Sequence, residues 1–206
     1  MGKSGLFITF EGSEGCGKST QIRLLAKELG RKGPEPLLLR EPGGTAVGEV
    51  IRNLLQHAPE GKALVPEAEL LLFAASRAQL VREVIRPALD AGRTVICDRF
   101  LDSTTVYQGV ARNIPVGVTG RINAFAVGVC LPDITFLLDL DRKAARARLE
   151  NRGQAADRIE GESEAFFEAV RRGYLELAAR EPARIRVIDA SGTPEEIAAV
   201  ILGCVP

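Results

Sequence analysis

Residues 12–19 carry the pattern with the clearest chemistry in this chain. They read Gly12-Ser13-Glu14-Gly15-Cys16-Gly17-Lys18-Ser19, with Thr20 next, and match G-x-x-x-x-G-K-S/T at every fixed position. Glycines at these positions let successive backbone N–H groups curl around an anion. The Lys18 ammonium can neutralise phosphate charge, and the Ser19 hydroxyl can ligate Mg²⁺. A plain glycine-rich turn is the alternative, but the pattern favours a loop in which residues 12–20 bind the phosphates of a nucleotide.

Charged residues also stand at the ends of two other apolar segments. Arg40 follows residues 36–39, and Asp98 and Arg99 close the segment that begins at residue 94. A carboxylate beside a phosphate site can organise Mg²⁺ and its waters, and a guanidinium can hold a second phosphate through two hydrogen bonds. This combination is typical of an enzyme that binds both a phosphoryl donor and an acceptor. Simple surface ion pairs at strand ends are the alternative.

The surrounding segments predict how these groups come together. Apolar, β-branched runs alternate with segments of helical periodicity, which predicts an α/β protein with a parallel sheet. Ligands bind such sheets beyond the carboxyl ends of the strands, where the polar groups above are found. We expect a P-loop NTPase fold, a five-stranded parallel sheet flanked by helices on both faces, in a single domain over residues 1–206. The expected strands are residues 6–10, 36–39, 94–98, 134–139 and 185–189.

Local signals place the helix boundaries. Thr45 and Thr193 are expected N-caps, and Pro194 after the second is typical of a first helical position. Residues 58–65 are expected to form a polar linker. Pro66 opens the longest apolar helical pattern, which extends to about residue 91 and in which Pro87 should loosen the last turn. Shorter helices are expected near residues 102–109 and 118–129.

Composition excludes several classes of protein. The 206 residues include 27 basic and 27 acidic side chains, so the net charge is zero, which argues against a bulk electrostatic binder of nucleic acid or membranes. There is no apolar run of membrane-spanning length. The four cysteines lack metal-ligand spacing and are expected to be reduced thiols of a cytoplasmic protein. The only histidine, His57, is expected to be structural or solvated.

Five motifs together resemble those of bacterial thymidylate kinases over residues 8–189. They are Phe10-Glu11-Gly12 with the glycine loop, Arg40-Glu41-Pro42-Gly43-Gly44-Thr45, Asp98-Arg99-Phe100, Tyr107-Gln108-Gly109 and Asp157-Arg158-Ile159-Glu160. The resemblance implies an enzyme that transfers the γ-phosphoryl of ATP to dTMP, giving dTDP and ADP, with Mg²⁺ at Ser19 and Asp98. It also suggests a homodimer packed through helices.

The resemblance assigns the phosphate and sugar contacts of the acceptor. Arg40 and Arg99 would clamp the phosphate of dTMP, and Glu14 would accept a hydrogen bond from the sugar 3′-hydroxyl. Tyr107 would lie against the deoxyribose, where a 2′-hydroxyl would crowd it. A solvated loop acid is the alternative for Glu14.

The base contacts are assigned in the same way. Phe73 and Arg77, four residues apart on one helix face, would stack on the pyrimidine and hydrogen-bond its O4. Thr104 and Gln108 would contact the base or its surroundings. From the pattern alone, Phe73 would be a core residue and Arg77 a solvated one.

Residues 151–162 resemble the mobile lid of this family. Arg152 and Arg158 are its basic residues, and either could reach the transferring phosphoryl group and act with Lys18 and Arg99 in catalysis. Arg148 and the turn at residues 190–192 would sandwich adenine, although Arg148 could instead belong to a solvated helix face.

Two other functions fit the same fold. A kinase for UMP, CMP or another deoxynucleotide would differ only in its acceptor pocket, whereas an ATP-dependent switch or binding module would have no acceptor. Preference between dTMP and dUMP also stays open, because the two differ by one methyl group worth about 1 kcal/mol in a pocket.

Overall fold

The computed structural model describes residues 5–150 and 158–205. Within them, five parallel strands form one sheet in the order β2-β3-β1-β4-β5, which confirms the predicted fold. The predicted bounds of β4 and β5 agree residue for residue with those observed, and the other three differ by one residue at one or both ends. The strands are β1 Phe7–Glu11, β2 Leu37–Arg40, β3 Val95–Asp98, β4 Ile134–Asp139 and β5 Ile185–Asp189.

The connections between strands are helical. The helices of the described residues are α1 Lys18–Lys32, α2 Ala46–Gln56, α3 Pro66–Leu80, α4 Arg86–Asp90, α5 Leu101–Thr104, α6 Val116–Val127, α7 Arg142–Glu150, α8 Glu164–Arg180 and α9 Pro194–Cys204. Thr45 caps α2 and Thr193 caps α9, as the sequence predicts; Thr193 forms a complete capping box with Glu196.

Side-chain alternation along β1 explains why helices cover both faces of the sheet. Ile8 and Phe10 belong to a core cluster that includes apolar residues of α1 and α9. Phe7 belongs to a second cluster, built with residues of α3, α4 and β3. Leu137 of β4 and Tyr174 of α8 belong to a third. Because neighbouring strand residues face opposite ways, one strand contributes to the core on both sides.

The structure differs from the sequence predictions in three connecting segments. The expected linker 58–65 contains a 3₁₀ turn, Pro59–Ala63. The expected helix 66–91 is α3 and α4 joined by a π-helical turn, Val81–Ile85, which ends two residues before Pro87. Proline has no N–H to close the helical ladder, and the wider turn accommodates this loss. A second π-helical turn, Thr105–Ala111, extends α5 into the region expected to be a short helix.

The described residues also show the state of the cysteines, the character of the helices and the exposure of His57. All four cysteines are free, and three of them are buried. Within residues 5–150 and 158–205, no helix combines the length and the apolar character that a membrane span requires. His57 is exposed at the end of α2.

Candidate active site

The glycine loop joins β1 to α1 and has a backbone that only glycine accepts easily. Gly12 and Gly15 have φ angles of 132° and 80°, a region that disfavours side chains. A Cβ atom on Gly12 would lie 2.5 Å from the Leu138 carbonyl oxygen, and one on Gly15 would lie 2.4 Å from that of Ala145. The loop is therefore packed closely against β4 and α7, and a side chain at either position would collide with their backbone.

The loop positions the lysine and serine that the motif predicts. The Lys18 ammonium donates hydrogen bonds to the carbonyl oxygens of Gly12 and Ser13, at 3.1 and 3.0 Å. Ser19 Oγ donates to Asp98 Oδ2 at 3.3 Å, which brings the end of β3 to the loop. Hydroxyl and carboxylate oxygens are ligands that Mg²⁺ prefers, and they usually leave other positions to water and phosphate. Ser19 and Asp98 therefore fit the predicted Mg²⁺ site.

Arg99 lies at the centre of the site in an unusual backbone conformation. Its φ angle of 67° is rare for a residue with a side chain. The guanidinium donates to Glu14 Oε1 at 2.7 Å and to the Tyr107 hydroxyl at 3.2 Å, and Tyr107 donates in turn to Glu14 at 2.9 Å. Burial acts to lower the pKa of Arg99, but Tyr107 and Glu14 raise it well above its ordinary value. The side chain is therefore a fixed positive charge.

A buried carboxylate that sequence reasoning gave no role holds the Arg99 segment in place. Glu11, at the end of β1, accepts hydrogen bonds from the Phe100 N–H at 2.8 Å and from the hydroxyls of Ser103 and Tyr174, both at 2.7 Å. Ser103 Oγ also accepts from Arg99 at 3.1 Å. Burial, followed by the charge of Asp102, raises the pKa of Glu11. In the sequence, Glu11 stood at the end of an apolar strand and in the first of the five motifs, but neither signal indicated this role.

A cleft of about 440 Å³ lies over the glycine loop, and we call it the phosphate cleft. It brings together groups from three strand ends that the sequence predicts to bind phosphate or metal. They include Lys18, Ser19, Arg40, Asp98 and Arg99. Arg40 also pairs with Glu49 at 2.9 Å, and both side chains are about half exposed.

A second cavity, of about 260 Å³, shares Gly17, Thr20 and Arg148 with the phosphate cleft. We call it the turn cavity, because Gly192 forms part of its wall. Arg148 Nη2 donates to the Ala190 carbonyl oxygen at 3.1 Å. Arg148 and the turn at residues 190–192, which are predicted to sandwich adenine, are thus in direct contact.

A third cavity shares Glu14, Gln56 and Arg99 with the phosphate cleft, and we call it the aromatic cavity. Its volume is about 50 Å³. Four residues predicted to contact dTMP through its base or sugar line it. They are Phe73, Thr104, Tyr107 and Gln108. The phosphate cleft therefore lies between two cavities that each hold the residues predicted for one nucleotide.

Arg77 lies behind the aromatic cavity, outside its lining. The side chain is 1% exposed, and Nε donates to Glu41 at 2.8 Å. Nη1 donates to Thr104 at 2.9 Å and to Asn123 at 3.1 Å, and Nη2 donates to the Phe100 carbonyl oxygen at 3.1 Å. These contacts let Arg77 orient Thr104, which lines the cavity, and the assignment of Arg77 as a contact of the base stays a prediction.

Of the two arginines expected in the lid, the structure describes only Arg158. Arg152 lies outside the described residues. Arg158 is described, and its Nη2 donates to Glu69 Oε2 at 2.6 Å while Nε donates to the Leu55 carbonyl oxygen at 2.8 Å. Its guanidinium is thus bound to α2 and α3.

Several site residues have no role in the sequence predictions. Ser103 and Tyr174 act through Glu11, and Gln56 and Ile159 line the aromatic cavity. Ile159 belongs to a motif that resembles the family's, whereas Gln56 carried no signal because a glutamine at a helix end is ordinary surface composition.

Known proteins share both the sequence and the fold of this chain. The family model of thymidylate kinase matches residues 10–201. The thymidylate kinase of Syntrophotalea carbinolica is 50% identical over 196 residues, which cover 93% of this chain and 90% of that protein. That of Pelotomaculum thermopropionicum is 50% identical over 187 residues, or 91% and 86% of the two chains. The crystal structure of thymidylate kinase from Ehrlichia chaffeensis superposes with a TM-score of 0.78 at 34% identity, covering 97% of this chain and 98% of that one. With sequence, fold and the placement of the motifs in agreement, this chain belongs to the thymidylate kinase family.

Proposed function

We propose that this enzyme transfers the γ-phosphoryl group of ATP to dTMP, giving dTDP and ADP. One observation carries the proposal beyond family membership: a cleft that contains Lys18, Arg40 and Arg99 shares wall residues with two separate cavities. A switch that only binds ATP has no need of the aromatic cavity. Two adjoining nucleotide sites instead hold a donor and an acceptor phosphate in line, and this positioning supplies much of the catalysis of phosphoryl transfer.

The donor is proposed to bind along the glycine loop. Backbone N–H groups and Lys18 would hold the β- and γ-phosphates, and adenine would lie in the turn cavity against Arg148. Ser19 and Asp98 would hold Mg²⁺, which supplies charge neutralisation at the phosphates when bound. Residues 12–20 form the donor site in this proposal.

The acceptor is proposed to lie with its base in the aromatic cavity and its phosphate in the cleft. Phe73 would stack on the pyrimidine, and Tyr107 would lie against the sugar. Arg99 would leave Glu14 for the acceptor phosphate, and Glu14 would then accept from the sugar 3′-hydroxyl. This exchange exposes no unpaired charge, because each group gains a new partner as it loses the old one. Arg40 would complete the phosphate clamp from β2.

The reaction needs no covalent intermediate, since the acceptor phosphate is already an anionic nucleophile. Lys18 and Arg99 would stabilise the charge that develops on the transferred group. One arginine of the lid, Arg152 or Arg158, would supply further positive charge there, and the lid would exclude water when it covers the site.

The test is ADP release by the purified protein with ATP and Mg²⁺, with dTMP, dUMP, UMP, CMP and GMP offered separately. We expect strong turnover with dTMP, weaker turnover with dUMP and little with the ribonucleotides. Preference for a ribonucleotide would overturn the proposed acceptor. ATP hydrolysis that no monophosphate changes would overturn phosphoryl transfer altogether.

We also propose a cytoplasmic homodimer in which each chain is one domain. Helices α3 and α6 pack against each other, and both expose apolar side chains. Phe125 is 81% exposed and Leu71 is 57% exposed. A second copy of the chain would bury these groups. Free thiols such as Cys97 are usual in a reducing compartment.

A further inference from the structure

A buried acid on α3 lies directly behind the aromatic cavity. Glu69 is 1% exposed and accepts hydrogen bonds from three side chains. Gln108 Nε2 donates at 2.8 Å, Arg158 Nη2 at 2.6 Å and Arg112 Nε at 3.2 Å. Burial acts to raise the pKa of Glu69, but hydrogen bonds from Arg112, Gln108 and Arg158 hold it below its ordinary value. The carboxylate is therefore ionised at neutral pH.

Two of these three donors connect Glu69 to the wall of the cavity. Gln108 lines the cavity itself, and Arg158 is the chain neighbour of Ile159, which also lines it. The Arg158 backbone N–H donates to the Gln56 carbonyl oxygen at 3.3 Å, and Gln56 is a third wall residue. Glu69 thus reaches wall segments from three separate parts of the chain.

The third donor extends the network away from the cavity. Arg112 also donates to Glu162 at 2.6 Å, and its guanidinium lies 4.8 Å from the centre of the Phe166 ring. That ring packs edge-on against Tyr107, a cavity residue, with centroids 5.9 Å apart. Arg112 therefore braces the same cavity from the side of α8.

We propose that Glu69 is a positioning residue that sets the width of the aromatic cavity, and through it the affinity for the acceptor nucleotide. This inference rests on the proposed function, because it concerns the same acceptor site. Glu69 does not line the cavity. It acts by holding Gln108 and the Arg158–Ile159 segment at a fixed separation. Because the cavity is narrow, about 50 Å³, a shift of either wall changes the space that a base would occupy.

Glu69→Gln is the most direct perturbation, since glutamine has nearly the same size. Its amide has one acceptor oxygen in place of two, and its NH₂ group must face Arg112, whose guanidinium contacts both carboxylate oxygens of Glu69 and can only donate. We expect KM for dTMP, and Kd for dTMP measured by calorimetry without ATP, to rise about tenfold, while KM for ATP stays within about twofold. A merely structural defect would lower the active fraction, and hence kcat, without separating the two KM values.

The chain offers a matched control and a second variant. Asp133 precedes β4 at the end of the sheet away from the site, accepts a hydrogen bond from the Phe7 backbone N–H at 2.7 Å, and lines neither the aromatic cavity nor the phosphate cleft. Asp133→Asn makes the same acid-to-amide change and should leave both KM values within about twofold. If Glu69→Gln does not fold, Arg112→Gln tests the same role, because it removes one donor to Glu69 and keeps Gln108 and Arg158. We expect Arg112→Gln to raise KM for dTMP about threefold.

The outcomes separate this inference from the proposed function. Wild-type protein that phosphorylates no monophosphate refutes both. Active wild type with a folded Glu69→Gln variant whose KM for dTMP is unchanged refutes only the role of Glu69. Equal increases in KM for dTMP and for ATP also refute the role of Glu69, since they show a general defect of the enzyme. A selective rise for dTMP supports the inference.

Discussion

Replacing Arg99 with alanine tests the proposed chemistry most sharply. The guanidinium is 17% exposed, lines both the phosphate cleft and the aromatic cavity, and is held by Glu14 at 2.7 Å. It is thus a preorganised donor at the point where the two phosphates would meet. Loss of one such donor costs about 2.7–4 kcal/mol of transition-state stabilisation, or about 10²–10³ in kcat. We expect Arg99→Ala to lower kcat with dTMP by that factor.

The assay is ADP release at saturating ATP and dTMP, on protein whose melting curve shows a single folded population. The substitution leaves the Glu14 carboxylate, 12% exposed, without its ion-pair partner, which should lower the free energy of unfolding by about 1–3 kcal/mol. Arg184→Ala is the matched control. Arg184 is 15% exposed and pairs with Asp102 at 2.7 Å, but it lines none of the three cavities.

We expect the Arg184 variant to lose stability and to keep kcat within about threefold of wild type. Arg99→Lys should recover part of the lost rate, since lysine keeps the charge but cannot make two parallel hydrogen bonds to one phosphate. A folded Arg99→Ala enzyme with kcat within about tenfold of wild type would refute the assigned role.

Four further substitutions test separate parts of the molecule. Lys18→Ala should lower kcat by about a hundredfold or more in the same assay, because it removes charge stabilisation at the phosphates; near-normal turnover would contradict the donor site. Burial raises the pKa of Glu41 from its ordinary value of 4.5 to about 7, so the folded state keeps a proton that the unfolded chain releases. The proton on Glu41 contributes at most about 3 kcal/mol to the free energy of unfolding. This contribution is complete below the pKa of Glu41 in the unfolded chain and is lost as pH rises through its pKa in the folded protein. Between about pH 5 and 8, the melting temperature of the wild type should therefore fall relative to that of Glu41→Gln. If the melting temperatures of the two proteins change in parallel with pH, the raised pKa of Glu41 is wrong. Thr193→Ala removes the capping box with Glu196 and should lower the urea-derived free energy of unfolding by about 1 kcal/mol; no change would mean that solvent replaces the cap. Phe125→Glu should convert the proposed dimer to a monomer in sedimentation experiments, and an unchanged dimer would place the interface elsewhere.

The parts of the fold predicted from sequence are those whose information is local. Strands β4 and β5 are apolar runs with clear boundaries, and the Thr193 cap carries its partner three residues later in the chain. The glycine loop is equally local, since its backbone conformation restricts the residue types along it.

The segments that were predicted less well depend on tertiary contacts. The π-helical turn Thr105–Ala111 brings Tyr107 and Gln108 to the aromatic cavity, but a periodicity of 3.6 residues cannot reveal a local change of pitch. The 3₁₀ turn at Pro59–Ala63 lies in a stretch whose polar composition is typical of a loop.

Buried charges mark the limit of sequence reasoning in this site. Pattern alone assigns a charged side chain to solvent, because burying an unpaired charge is costly. The structure instead pairs each of three arginines of the site with a glutamate: Arg99 with Glu14, Arg77 with Glu41 and Arg158 with Glu69. Arg99 and Arg158 could be singled out because they belong to motifs, and Arg77 because the resemblance assigns it a role, whereas Glu69 lies outside every motif.

These pairs have a common physical reason. A site that binds two polyanionic nucleotides needs cations at fixed positions before either ligand arrives, and a buried guanidinium without a partner would destabilise the folded protein. Glu14 and Glu69 supply negative charge to Arg99 and Arg158, and all three glutamates fix their arginines by directional hydrogen bonds. In the phosphate cleft, acids such as Glu14 and Glu41 stand beside the basic side chains, so a chain of zero net charge still presents cations there at fixed positions. It follows that removing a glutamate such as Glu69 should impair the site through the arginine and glutamine it holds, even though the carboxylate itself would not touch either nucleotide.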